Sequence, residues 1–268
     1  METLSNRLRL KRVLLALLLA FVWIEAFGVD VGERADAGQH EPLVVGLDYV
    51  VPEYKGGDKF RSPATIDTAI AEELARRLQR PLAIVGSIVG SEKAGLQLTT
   101  LRDAGAVPAG FAAIPVGYRA APMAVLRTDT TIKRWEQLES RIVCVAMGGN
   151  HVGTIAARYG AIEKVHPSPA DALVALRTGD CDAMVHDRPM LEQLIRLPEW
   201  KKFSARLPAG RRSTLAFLVP AGEKDTIALL GRIAGDWNAD AYPDVLVKKA
   251  VRDIAFEVYL EQDVPDCH

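Results

Sequence analysis

An excess of charge of either sign is missing from this chain: 33 Lys+Arg stand against 34 Asp+Glu, a formal net charge of −1. With no basic field to hold phosphates, nucleic acid is excluded as an expected partner. Cysteine is scarce, at three in 268 residues, and neither a Cys-x-x-Cys pair nor a His-rich tract occurs. Spacing therefore gives no reason to expect a metal site. Gly-x-Ser-x-Gly, the P-loop and His-Glu-x-x-His are all absent, and no nucleophile and base stand at a recognisable spacing. No cofactor is expected, and enzymatic chemistry has no motif to rest on.

Long apolar runs are missing too, with one exception. Val13 to Trp23 is an eleven-residue apolar core, too short to span a bilayer comfortably, behind the basic residues Arg7, Arg9, Lys11 and Arg12. Ala26-Phe27-Gly28 is a small-x-small site, so residues 1–28 read as a secretory signal peptide cut after Gly28. Retention as an anchor is the alternative. No cysteine follows the apolar core, which excludes a lipid anchor. The mature chain would carry 29 basic and 32 acidic residues, with 29–42 as a polar, disordered lead-in.

From Leu43 onward, strands and helices alternate twice. LVVGL at 43–47 reads as a buried strand, followed by a helix from Pro63 to Leu78 with Ile66, Ile70, Leu74 and Leu78 on one face, then a strand from Pro81 to Val85. Leu96 to Ala104 reads as a short helix stopped by Gly105, and 115–122 as a loop before a strand at 123–127. A second series follows. RIVCVA at 141–146 reads as a strand, Gly148-Gly149-Asn150-His151 as a turn, and Val152 to Tyr159 as a helix. Ser168 caps a helix that stops at Gly179, and the run to Asp187 is a buried strand. Ser213 to Pro220 is the returning strand, and two amphipathic helices close the chain.

The stretch Asp171 to Asp187, DALVALRTGDCDAMVHD, resembles a helix–strand pair of the bacterial extracellular solute-binding proteins of the polar amino-acid type, family 3. LVVGLD followed by Pro52 and Tyr54 resembles that family's opening, and residues 128–140 resemble its crossover into a second lobe. The resemblance implies an α/β chain with the type II two-lobed periplasmic-binding-protein fold, its lobes joined by two crossover strands. Lobe 1 would comprise 43–125 and 215–268, and lobe 2 would comprise 126–214. It also implies a periplasmic monomer that captures a small polar ligand, an amino acid or a related carboxylate or amine, for the membrane permease of an ABC transporter.

By the same resemblance, Asp187 would take a ligand's ammonium group. Gly149 and Asn150 at the glycine turn, with the helix N-terminus beyond, would face its carboxylate. The family's Thr-x-x-Arg segment is missing before Tyr118, which leaves Arg119 as the basic residue nearest the expected mouth. Asp48, Tyr54, Tyr118 and His151 complete the candidate set. Two other readings stay open: an enzyme on the same scaffold, similar to cyclohexadienyl dehydratases, and an accessory or sensory protein that binds a protein partner. Cys144 and Cys181 fall in expected strands of one sheet, so they would either form a disulfide or remain buried thiols.

Overall fold

The computed structural model describes residues 41–52, 65–89, 95–102 and 107–261. The signal segment, Tyr54 and Cys267 lie outside them. No helix among the described residues is long and apolar enough to cross a membrane.

Two five-stranded sheets form the frame. The first has the order β2-β1-β3-β10-β4, built from β1 (Leu43–Leu47), β2 (Leu82–Gly86), β3 (Leu96–Leu101), β4 (Phe111–Ala120) and β10 (Ser213–Pro220). The second has the order β7-β6-β8-β5-β9, built from β5 (Pro122–Leu126), β6 (Ile142–Ala146), β7 (Ile162–His166), β8 (Ala183–Asp187) and β9 (Ala205–Arg206). In each sheet the β-α-β units give parallel pairs, and the strands next to the crossing pair antiparallel. The chain passes between sheets at Ala121 and returns between β9 and β10. β5, expected at the end of the first lobe, thus belongs wholly to the second sheet.

The helices obey their caps. α1 (Ile66–Leu78) buries Ile70, Ala71, Leu74 and Ala75 against the first sheet, with Thr65 as N-cap. α2 (Thr154–Tyr159) is one short stretch after β6. α3 (Pro169–Thr178) starts at Ser168, whose hydroxyl accepts from the Asp171 N–H, and ends at Gly179, where φ is +86°. α4 (Arg188–Leu194) follows β8 directly, and α5 (Lys224–Ala239) covers β4. α6 (Tyr242–Leu260) was expected to pack back on the first lobe only. It lies against α1 and α5 there, and more extensively against α3 and α4 of the second. One apolar cluster accordingly runs from Leu43, Val45 and Leu74 through Val247 and Val251 to Leu173, Met184 and Met190.

Two segments depart from the sequence reading. LQLTTL, read as a helix, is strand β3, and it pairs with both β1 and β10. Its local helix signal loses to the pairing, because β-branched Thr99 and Thr100 suit a pleated surface and Leu96 and Leu98 fill the core. Residues 115–120, read as a loop, belong to the ten-residue strand β4. That strand lies at the sheet edge, where Pro115 costs no ladder bond. Its register against β10 slips between Thr214 and Ala216, which pair with Arg119 and Pro115. The extra residues form a bulge around Gly117, where φ is +91°. A Cβ there would collide with Asn238 of α5.

The bulge predicts a test. Gly117→Ala should lower stability by about 1–3 kcal/mol in urea unfolding, from left-handed strain plus the Asn238 clash. Pro115→Ala, with its exposed side chain, should stay within about 0.5 kcal/mol.

Candidate functional site

The strand tips of the two sheets border a cleft of about 630 Å³. From the first sheet it receives Asp48 and Tyr49 beyond β1, Thr65 and Asp67 at the start of α1, Thr99 and Thr100 of β3, and Tyr118 of β4. From the second it receives residues 145–152 and 166–169, together with His186 and Asp187.

Asp187 stands at the base. It is 7% exposed at the end of β8, and both carboxylate oxygens are used. His151 Nε2 lies 2.8 Å from Oδ1, and the Tyr118 hydroxyl donates to Oδ2 at 2.8 Å. An ionised carboxylate only accepts, so His151 carries its proton on Nε2. Burial works against the charge, but the His151 hydrogen bond, the two neighbouring histidines and Tyr118 hold the carboxyl below its ordinary range. The same burial, with the Asp187 charge, pushes the Tyr118 hydroxyl well above the usual tyrosine value. His186 is pushed down by burial, and its Nδ1 accepts the Asp187 N–H at 2.7 Å. The ring is therefore neutral, with its proton on Nε2.

Asp48 is exposed at the rim and braced from β3. Thr99 Oγ1 donates to Oδ2 at 2.6 Å, and Gln97 Nε2 donates to Oδ1 at 3.2 Å. Gln97 is itself 1% exposed, with its Oε1 accepting the Ile88 N–H at 2.8 Å. Asp67 is held at the start of α1 by Thr65 and the Thr68 N–H, and burial raises its carboxyl above the ordinary value.

The glycine turn after β6 lies in the cleft but carries no vacant anion seat at the helix beyond. Gly148 (φ +71°) lets the chain pass directly under the Tyr49 ring, where any Cβ would clash. Gly149, Asn150 and His151 follow, and α2 begins only at Thr154, two residues later than expected. Its first N–H groups already have an anion. Glu163 of β7 accepts from Gly153, Ile155 and Ala156, the last two at 2.9 and 2.8 Å. Glu163 thus caps the start of α2, while Gly149 and Asn150 themselves line the cleft.

The structure therefore gathers Asp48, Tyr118, Gly149, Asn150, His151 and Asp187 around one cleft. Arg119 is exposed on the outer side of β4 and does not line it, because neighbours along a strand point to opposite faces. Asp187 is already bonded to two protein groups, unlike the open cation acceptor that the resemblance implied. Gln97 and Thr99 were missed because their segment was read as a helix, and Glu163 because only the β6–β7 register brings it to α2. Asp67 was within reach as an acidic residue in the first turn of a helix after a predicted mouth.

Cys144 and Cys181 are joined as a disulfide, with Cα atoms 5.9 Å apart. Cys144 is in β6, whereas Cys181 precedes β8 rather than lying in it. The Cys144 sulfur is also 3.0 Å from His166 Nε2.

No protein-family model and no curated protein matches the chain. Solved structures do. A mutant of ArgBP from T. maritima is 20% identical, covering 77% of this chain and 93% of that one, with a TM-score of 0.53. AbpA from Streptococcus pneumoniae, bound to L-arginine, is 17% identical, covering 80% and 95%, with a TM-score of 0.55. The ancestral amino-acid-binding protein AncCDT-1, a precursor of cyclohexadienyl dehydratase, is 18% identical, covering 78% and 94%, with a TM-score of 0.53. The chain has the two-lobed α/β fold of these substrate-binding proteins.

Stability should fall on acidification, histidines first. His186 and His166 are both lowered, chiefly by burial, so the unfolded chain takes up protons that the folded chain refuses. Their contribution is complete above roughly pH 6.5 and is lost as pH drops through the folded values. The Asp187 contribution is likewise present above its unfolded value, about 4, and is lost below it. Urea midpoints should decline from pH 7.5 to pH 5, and His186→Gln should flatten that slope.

Proposed function

We propose that this protein is a periplasmic solute-binding protein that holds a small cationic ligand, an amine or a basic amino acid, and presents it to the permease of an ABC transporter. The sign of the cleft carries the reading. Asp48, Asp67, Asp171, Asp187 and Glu257 border it, and no Lys or Arg among the described residues does. Asp48 is preset by Gln97 and Thr99 at the rim, a fixed carboxylate well placed for an ammonium or guanidinium. Asp67 also lines the cleft, and burial raises its carboxyl, so an incoming cation would favour its ionised form. Tyr49 over Gly148 closes one wall of the cleft.

The reading modifies the resemblance at one point. An α-carboxylate is not essential to binding, because Glu163 fills the α2 N-terminus and Arg119 points away. Binding of L-arginine by AbpA supports a cation, and the acidic lining supports it independently. The protein acts as a monomer outside the cytoplasm once its signal is removed.

A thermal-shift panel on the chain from Val29 tests this. Agmatine, putrescine and arginine should raise Tm, by about 2.7 kcal/mol of stability at 100 times the dissociation constant, while glutamate should not. Agmatine, which lacks the carboxylate, should bind within about tenfold of arginine. Asp48→Asn should weaken the active compound about tenfold, the loss of one charged hydrogen-bonding partner. Stabilisation by glutamate alone, or by none of the panel, would refute the proposal.

One observation favours a second reading, an enzyme on this scaffold. His151 is a buried imidazole oriented by a carboxylate at a cleft, the arrangement of a general base. AncCDT-1 links the fold to cyclohexadienyl dehydratase. Consumption of a prephenate-like ring acid, lost in His151→Ala, would establish it. Unchanged substrate after prolonged incubation would remove it.

A further inference from the structure

The disulfide has a third partner. Cys144 of β6, Cys181 in the turn after α3 and His166 at the end of β7 each offer one donor atom, and these atoms lie within 4.8 Å of one another. Three separate segments converge here, held by the β6–β7 and β6–β8 pairing. Cys144 is fully buried, Cys181 is 6% exposed, and His166 is half-buried and lines the cleft. The imidazole thus links a dry pair of sulfurs to solvent. Asp171 and Asp180 act on His166 as nearby negative charges, and Lys164 as a nearby positive one.

We propose that, with the disulfide reduced, Cys144, Cys181 and His166 form a three-ligand site for a thiophilic divalent ion of the zinc class. A dithiol reductant supplies two electrons and two protons, is itself oxidised to a disulfide, and leaves two thiols. Zn²⁺ then displaces both thiol protons and binds two sulfurs and the His166 nitrogen. Two thiolates balance the ion's charge, so the buried pair remains neutral once loaded. Two Cys and one His leave a fourth position of a tetrahedral ion, and the ligand that reaches the cleft is the one beside which a small molecule would approach. Oxidation to the disulfide removes both sulfur ligands, so occupancy follows redox state.

Co²⁺ serves as the probe. The full chain is reduced with a dithiol, freed of reductant under nitrogen and titrated with Co²⁺. The expected result is one ion per chain with a thiolate-to-cobalt charge-transfer band, bleached by one equivalent of Zn²⁺. The air-oxidised protein should show no band. His166→Ala should weaken binding at least about tenfold while leaving the thiol count after reduction unchanged. Cys144→Ser should abolish the band, and Cys267→Ser should leave it intact, which separates the site from the third cysteine. The proposal is overturned if the reduced protein gives no band, if His166→Ala binds as well as the parent, or if the band follows Cys267. Because the readout is spectroscopic, it is independent of whether any amine binds the cleft.

Discussion

A carboxylate taken out of water must be repaid in hydrogen bonds, and the architecture around Asp187 answers that demand. Its two oxygens draw one donor from each sheet: His151 from the loop after β6 and Tyr118 from the edge of the first sheet. The β4 bulge turns Tyr118 inward, and Gly117 makes the bulge passable. His151 follows the glycine turn in the chain and reaches Asp187 from there. Features that look unrelated along the chain are thus parts of one electrostatic arrangement at the junction of the sheets. That arrangement also leaves Asp187 committed to the protein, whereas Asp48 is exposed nearer the rim.

At the rim, the proposed preference for a positive charge rests on what the cleft offers and on what is already filled. Asp48 is held open to the cleft by a buried glutamine and a threonine rather than by a cation. The helix dipole after the glycine turn would attract an anion, yet Glu163 satisfies it internally.

How far the sequence could be read depended on whether a residue's role was local. The α3–β8 unit was legible because its cap, its stop and its apolar run are all contiguous, from Ser168 through Gly179 to Asp187. Asp187 was identifiable as a strand-tip residue on the same grounds, whereas His151 was a candidate only as part of the glycine turn. Gln97, Thr99 and Glu163 were not, since each acts through cross-strand register that no local pattern encodes. Leu96–Leu101 misled for a related reason: so short a stretch does not settle its own period, and only its two neighbouring strands decide it. Arg119 failed by one position, since a side chain's face on a strand reverses at every residue and the bulge upsets the count.

α6 rests against helices of both sheets and shares a continuous apolar cluster with them. Swinging the sheets apart as rigid bodies would peel that helix from one side or the other and wet Val247 and Val251. Across the cleft, Tyr49 beyond β1 packs on Gly148 of the glycine turn, where no Cβ could fit beneath the ring.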